Sequence, residues 1–241
     1  MKVLILAGGK GTRFMEESIH MPKPMIRILG KPMMIHIMEH YLKFGFEDFV
    51  VLGGEKVEYI YKFFQENYQT LDSASHLYKI QNKFTVQVLD TGRETMTGGR
   101  VKKAIESLEV DNFMLTYGDG FSDVNISELL EFHNNKNSIV TLTGMRPPAR
   151  FGSIEIEDDY IVNFGEKAQT KEGWINGGYF VVNSKIYDYI SSYDMPLERE
   201  PLETLSKERL LTVFKHQGYF QPVDTIREKE LVEEKLRSYD R

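Results

Sequence analysis

With 241 residues, 41% of them hydrophobic and 27% charged, the chain is long enough for a sizeable core and too apolar to be mainly disordered. Its 30 Lys+Arg against 36 Asp+Glu leave a formal charge of -6, which argues against a general nucleic-acid binder. The absence of cysteine excludes a disulfide scaffold, a thiolate zinc site and a cysteine nucleophile.

Residues 2–7 (KVLILA) form a short apolar run that reads as a strand buried on both faces. It ends in glycines too soon for a secretory signal, and no run approaches the ~18 apolar residues of a membrane span. The cytoplasm is the expected compartment, with no membrane partner. Pro22 and Pro24 make 20–26 a loop. Residues 33–44 read as a helix stopped by Gly45, and 48–54 as a second buried strand. Val57, Ile60, Tyr61, Phe64 and Tyr68 fall at helical spacing. Strands are expected at 84–89, 113–117, 138–143 and 177–182, and helices at 99–108, 126–134 and from about 226 onward. Asp158-Asp159 lies between two short runs, a hairpin signal. Strand and helix alternate as in an α/β chain. One domain over 1–241 is expected, with a βα half at 1–145 and a smaller hairpin-rich half at 146–241.

Several residues are candidates for chemistry. Gly8-Gly9-Lys10-Gly11-Thr12-Arg13 follows the first strand directly. Glycines expose backbone N–H groups that can cradle phosphate, and Arg13 adds a donor fork. The spacing is neither that of a P-loop nor G-x-G-x-x-G. Lys23, between two prolines, sits on a stiff loop, which suits a charge held beside a phosphate but also a solvated turn. Asp119, between Gly118 and Gly120 at the end of a buried strand, could hold a hard cation or close a turn. Asp224 could be its partner or a helix N-cap. His36 and His40 fit H-x-x-E-H, a zinc-peptidase pattern. Their neighbours are methionine and isoleucine, so both are read as helix-surface or core residues. Trp174, the only tryptophan, could line a sugar pocket or simply pack.

Together these pieces resemble the sugar-phosphate nucleotidyltransferases. The resemblance rests on Leu6 to Arg13, on Pro22 to Met25 and on Gly30-Lys31-Pro32. Asp90-Thr91-Gly92, Met96-Thr97-Gly98-Gly99-Arg100 and Thr116-Tyr117-Gly118-Asp119-Gly120 extend it towards the cytidylyltransferase branch. Arg150-Phe151-Gly152, Glu166-Lys167, Ile175-Asn176-Gly177-Gly178 and Gln221-Pro222-Val223-Asp224-Thr225 complete it, so it runs from residue 1 to about 230.

The resemblance implies a Rossmann-like α/β fold, with a mixed, mostly parallel central sheet flanked by helices. It implies Mg2+-dependent transfer of a cytidylyl group from CTP to a sugar-1-phosphate, with glucose-1-phosphate the expected acceptor. The alternatives are another phosphorylated acceptor, another NTP, or a nucleotide-binding regulator without chemistry. By position, Leu6, Ala7, Gly8, Gly9, Gly11, Thr12, Thr95, Arg100 and Gly118 would contact the nucleotide. Arg13 and Lys23 would bind its phosphates and act in catalysis. Asp119 and Asp224 would bind Mg2+. Glu166, Lys167, Asn176 and Gly177 would hold the sugar phosphate. A homo-oligomer is also implied.

Overall fold

The computed structural model describes residues 1–9, 21–147 and 173–239, together with the strands at 153–157 and 160–165. Nine strands make one sheet: β1 (Val3–Leu6), β2 (Asp48–Gly53), β3 (Gln69–Asp72), β4 (Leu77–Ile80), β5 (Phe84–Asp90), β6 (Asn112–Tyr117), β7 (Val140–Met145), β8 (Ile175–Asn183) and β9 (Leu211–His216). Their order is β9-β7-β8-β6-β1-β2-β5-β4-β3. The strands β6-β1-β2-β5 run parallel, as do β7 and β9. The pairings β7-β8, β8-β6, β5-β4 and β4-β3 are antiparallel. The sheet is thus mixed, and its continuous four-stranded parallel run lies at the centre.

Successive side chains of a strand point to opposite faces. Val3 and Ile5 of β1 enter one apolar cluster, and Leu4 and Leu6 the other. Phe49 and Val51 of β2 divide from Val50 and Leu52 in the same way. The first layer is completed by helices α1 (Met33–Leu42), α2 (Val57–Asn67), α4 (Ile126–Asn134) and α6 (Ile226–Tyr239). The second is completed by α3 (Thr97–Leu108), α5 (Glu200–Lys207) and the 3-10 turn Ser184–Tyr189. Helices on both faces explain why the central strands read as unbroken apolar runs.

The helices and strands expected from the sequence are present, with ends within about two residues. The hairpin expected around Asp158-Asp159 is found as Ser153–Glu157 paired with Tyr160–Gly165; the two aspartates lie outside the described residues. The segment 20–26 contains a short 3-10 turn, Lys23–Met25, where only a loop was expected. Strands β3, β4 and β9, helix α5 and the ribbon of Gly120–Ser122 with Phe220–Pro222 were not foreseen. Among the described residues no helix is long and apolar enough to cross a membrane.

One topological feature places the site. From β1 the chain moves to β2 on one side and later returns to β6 on the other. The crevice beyond the carboxyl ends of β1 and β6 is therefore a switch point, the usual ligand position in an open α/β sheet.

Candidate active site

A cleft of about 820 Å³ opens at that crevice. Its wall includes Leu6, Ala7, Gly8 and Gly9 after β1, Gly118 and Asp119 after β6, and Asn176 and Gly177 on β8. Lys23, Thr95, Arg100 and Asp224 complete the set of sequence candidates brought together here. Gly11, Thr12, Arg13, Glu166 and Lys167 lie outside the described residues.

Lys23 is fixed locally before it is fixed by its partners. Two flanking prolines restrict the backbone. The turn closes through Met25 N–H to Pro22 O at 2.8 Å and Ile26 N–H to Lys23 O at 3.1 Å. This aims the side chain of a residue that is only 8% exposed into the cleft. Its ammonium donates to Asp119 Oδ2 at 2.8 Å and to Asp224 Oδ1 at 2.6 Å. Burial alone would lower its pKa. The charge of Asp119 and the hydrogen bonds to both aspartates, with the charge of Asp224, outweigh that and raise it.

Asp224 is released from capping by its neighbours. Thr225 Oγ1 accepts the N–H of Glu228 at 3.2 Å, and Glu228 Oε2 accepts the N–H of Asp224 at 2.8 Å. This is a capping-box arrangement at the start of α6, displaced by one residue on the return bond. The Asp224 carboxylate therefore turns to Lys23 instead of the helix. Asp119 and Asp224 present hard oxygen donors around one cationic position. Two carboxylates, with substrate phosphates adding the rest, suit a small hard divalent cation. Among the described residues no group of three or more His, Asp or Glu is placed to hold a metal by itself.

Arg100, expected at the nucleotide, is 4% exposed. Its Nη1 donates to Gly53 O at 2.8 Å, Gly92 O at 2.9 Å and Thr91 Oγ1, and its Nη2 to Gly8 O at 2.8 Å. The guanidinium thus joins the ends of β1, β2 and β5. Gly8 and Gly54 are glycine for this reason: a Cβ on either would collide with the guanidinium. Thr95 donates its hydroxyl to Thr91 O at 2.6 Å and accepts from Lys103 Nζ at 3.2 Å.

His36 and His40 do not meet at a metal position. Their Nε2 atoms bond the carbonyls of Ile28 at 2.9 Å and Val124 at 2.8 Å. Arg146 stacks its guanidinium 4.0 Å from the Trp174 ring, and Trp174 is not part of the cleft wall.

Comparison with known proteins identifies the lineage. The family model for nucleotidyl transferases matches residues 2–222. The chain belongs to the nucleotidyl transferase family. It is 40% identical to the glucose-1-phosphate cytidylyltransferase of Salmonella typhi, over 97% of this chain and 95% of that protein. It is 37% identical to a probable glucose-1-phosphate cytidylyltransferase of Bacillus subtilis, over 93% of this chain and 92% of the relative. Among solved structures, HddC of Yersinia pseudotuberculosis complexed with GMP-PN superimposes with a TM-score of 0.70 at 25% identity, covering 98% and 99% of the two chains.

For a nucleotidyltransferase, Tyr117 and Glu198 are among the cleft residues that had no role assigned from the sequence. Tyr117 stands directly before Gly118-Asp119, inside a run that was singled out, yet no role fell to it. Glu198 lies in a stretch with no reading from the sequence. In the fold, the Tyr117 hydroxyl donates to Glu198 Oε1 at 2.6 Å and accepts from Asn176 Nδ2 at 3.1 Å. Thr97 Oγ1 donates to the other oxygen, Glu198 Oε2, at 2.6 Å.

Proposed function

We propose that this nucleotidyltransferase carries out Mg2+-dependent transfer of a cytidylyl group from CTP to a sugar-1-phosphate, glucose-1-phosphate foremost. The observation that carries the reaction class is the Asp119–Lys23–Asp224 cluster at the switch point of the sheet. Cytidine and glucose are supported by the likeness, at 40% identity, to an enzyme named for both.

In this reading a phosphate oxygen of the acceptor bonds to the α-phosphorus of CTP. The bond from that phosphorus to the bridging oxygen breaks, and the electron pair leaves with pyrophosphate. The nucleophile is already ionised, so the reaction needs no general base. The demand is electrostatic: two polyanions must approach, and charge moves onto the leaving group. Lys23 offsets that charge from a fixed, buried position. Gly8 and Gly9 bring backbone N–H groups to the phosphates where β1 ends; Gly11, Thr12 and Arg13 are assigned to the nucleotide and its phosphates by the sequence resemblance alone. Asp119 and Asp224 would hold Mg2+, which would supply charge neutralisation at phosphate oxygens. Thr95 and Arg100 shape the nucleotide side; Glu166, Lys167, Asn176 and Gly177 receive the sugar phosphate.

A guanylyl donor is the second reading, favoured by the structural likeness to HddC complexed with GMP-PN. Pyrophosphate release with Mg2+ separates the two, across CTP, UTP, GTP and dTTP against several sugar-1-phosphates. Signal confined to CTP with glucose-1-phosphate is the expected result. Signal confined to GTP would replace the donor. Silence across the grid would overturn the proposal.

A further inference from the structure

The carboxylate of Glu198 is a liability in a cleft built for polyanions unless it has a task. It lines the cleft and is exposed to it. Among the described residues its partners are two hydroxyls, those of Tyr117 and Thr97, and no Lys or Arg neutralises it. An ionised carboxylate is acceptor-only, with roughly four lone-pair positions. Two are taken, one on each oxygen, so each oxygen keeps a position for a ligand donor. Phosphate has no donor to offer. A sugar ring has several.

The neighbouring bonds set the direction. Asn176 donates to Tyr117, and Tyr117 donates to Glu198. The Asn176 carbonyl is itself fixed by the N–H of Gly178 at 2.9 Å. The chain Asn176→Tyr117→Glu198 thus fixes the carboxylate at the β6–β8 side of the cleft.

From this juxtaposition we infer that Glu198 is a specificity-determining residue that accepts hydrogen bonds from ring hydroxyls of the acceptor sugar, with Tyr117 positioning it. The inference rests on the sugar-1-phosphate reading above. Its chemistry has a sign: a neutral, hydroxyl-rich sugar is favoured, and a sugar bearing its own carboxylate is repelled.

The test uses glucose-1-phosphate and glucuronic acid 1-phosphate with the full chain and with Glu198→Gln. The wild-type protein should strongly prefer the neutral sugar. Glu198→Gln should raise KM for glucose-1-phosphate roughly tenfold, the loss of one hydrogen bond to a charged group. It should leave kcat and the KM for CTP near wild type, and narrow the preference over the uronic acid. Tyr117→Phe should raise the acceptor KM in the same direction. A purely structural clamp on Thr97 would lower the melting temperature of Glu198→Gln without moving the sugar preference, and that result would overturn the inference. So would a rise in KM for CTP alone. If wild-type protein turns over no sugar-1-phosphate, the underlying reading fails, a separate outcome from an active enzyme indifferent to Glu198.

Discussion

Replacing Lys23 by alanine removes the shared donor of Asp119 and Asp224 and the buried positive charge in the cleft. If that charge acts on phosphate, Lys23→Ala should lower kcat roughly 100- to 1,000-fold, the scale set by loss of one pre-positioned electrostatic group. The far-UV circular dichroism should be unchanged, because the turn is held by backbone bonds and prolines. Near-normal turnover would remove Lys23 from the chemistry. Its stiff setting was legible in the sequence because the constraint is local: prolines at positions 22 and 24 act on their immediate neighbour. Arg100 shows the opposite case. A Gly-Gly-Arg run after a strand suggests a ligand contact, yet its partners Gly53 and Gly8 stand 47 and 92 positions away. Only the parallel register of β1, β2 and β5 brings those carbonyls to one guanidinium. Asp224 was ambiguous for a local reason instead: whether it caps α6 is decided by the competing side chains of Thr225 and Glu228.

At the level of elements, α1 carries a proton-linked contribution to stability. His36 and His40 lie one turn apart, and burial lowers the pKa of both despite their carbonyl hydrogen bonds. His133 on α4, bonded to Thr141 Oγ1 at 2.8 Å, is lowered by burial too. A histidine with a depressed folded pKa binds its proton first in the unfolded chain, so stability rises with pH through that window. The contribution is complete above the unfolded value near 6.5 and is lost as pH falls through the folded pKa. Lys23, raised, acts only at the alkaline end, where its contribution is lost as pH rises through its folded pKa. The urea midpoint should therefore drop between about pH 7.5 and about pH 5.5. In His40→Gln the drop should be shallower, and an unchanged slope would show that His40 is not a source of it. The H-x-x-E-H spacing was visible in the sequence, but its nitrogens meet the carbonyl of Ile28, in the short strand Arg27–Ile28, and that of Val124, 84 positions from His40. Most elements with an apolar pattern were equally visible, although β4 and α5, which bury Tyr78, Ile80, Leu202 and Leu205, were missed. Strand β3, exposed along its whole length, and β9, with no buried residue, carry no such pattern and were missed.

Taken as a whole, the molecule makes its candidate site from segments that meet only when the sheet is complete. Lys23 reaches Asp119 across 96 positions and Asp224 across 201. The last of these arrives through the ribbon that pairs Phe220–Pro222 with Gly120–Ser122, and through α6, which begins just after it. Among its described side chains, helix α6 is anchored by one fully buried residue, Val232, in the same apolar layer as α1 and α4. Trimming it in Val232→Ala should cost about 2 kcal/mol through lost burial and the residual cavity. The effect should not stop at stability. Because the Asp224 N–H is held by Glu228 of the same helix, a loosened α6 should also loosen the carboxylate opposite Asp119. Mg2+ titrations of pyrophosphate release, at a temperature where the variant is still folded, should then half-saturate at higher Mg2+ than wild type. A substitution of equal cost on the other layer, such as Leu205→Ala on α5, should leave that half-saturation point unchanged. Parallel shifts in both variants would mean that global loosening controls the metal response. A melting-temperature loss in Val232→Ala with an unmoved Mg2+ titration would mean that Asp224 is held by the ribbon and Lys23 alone.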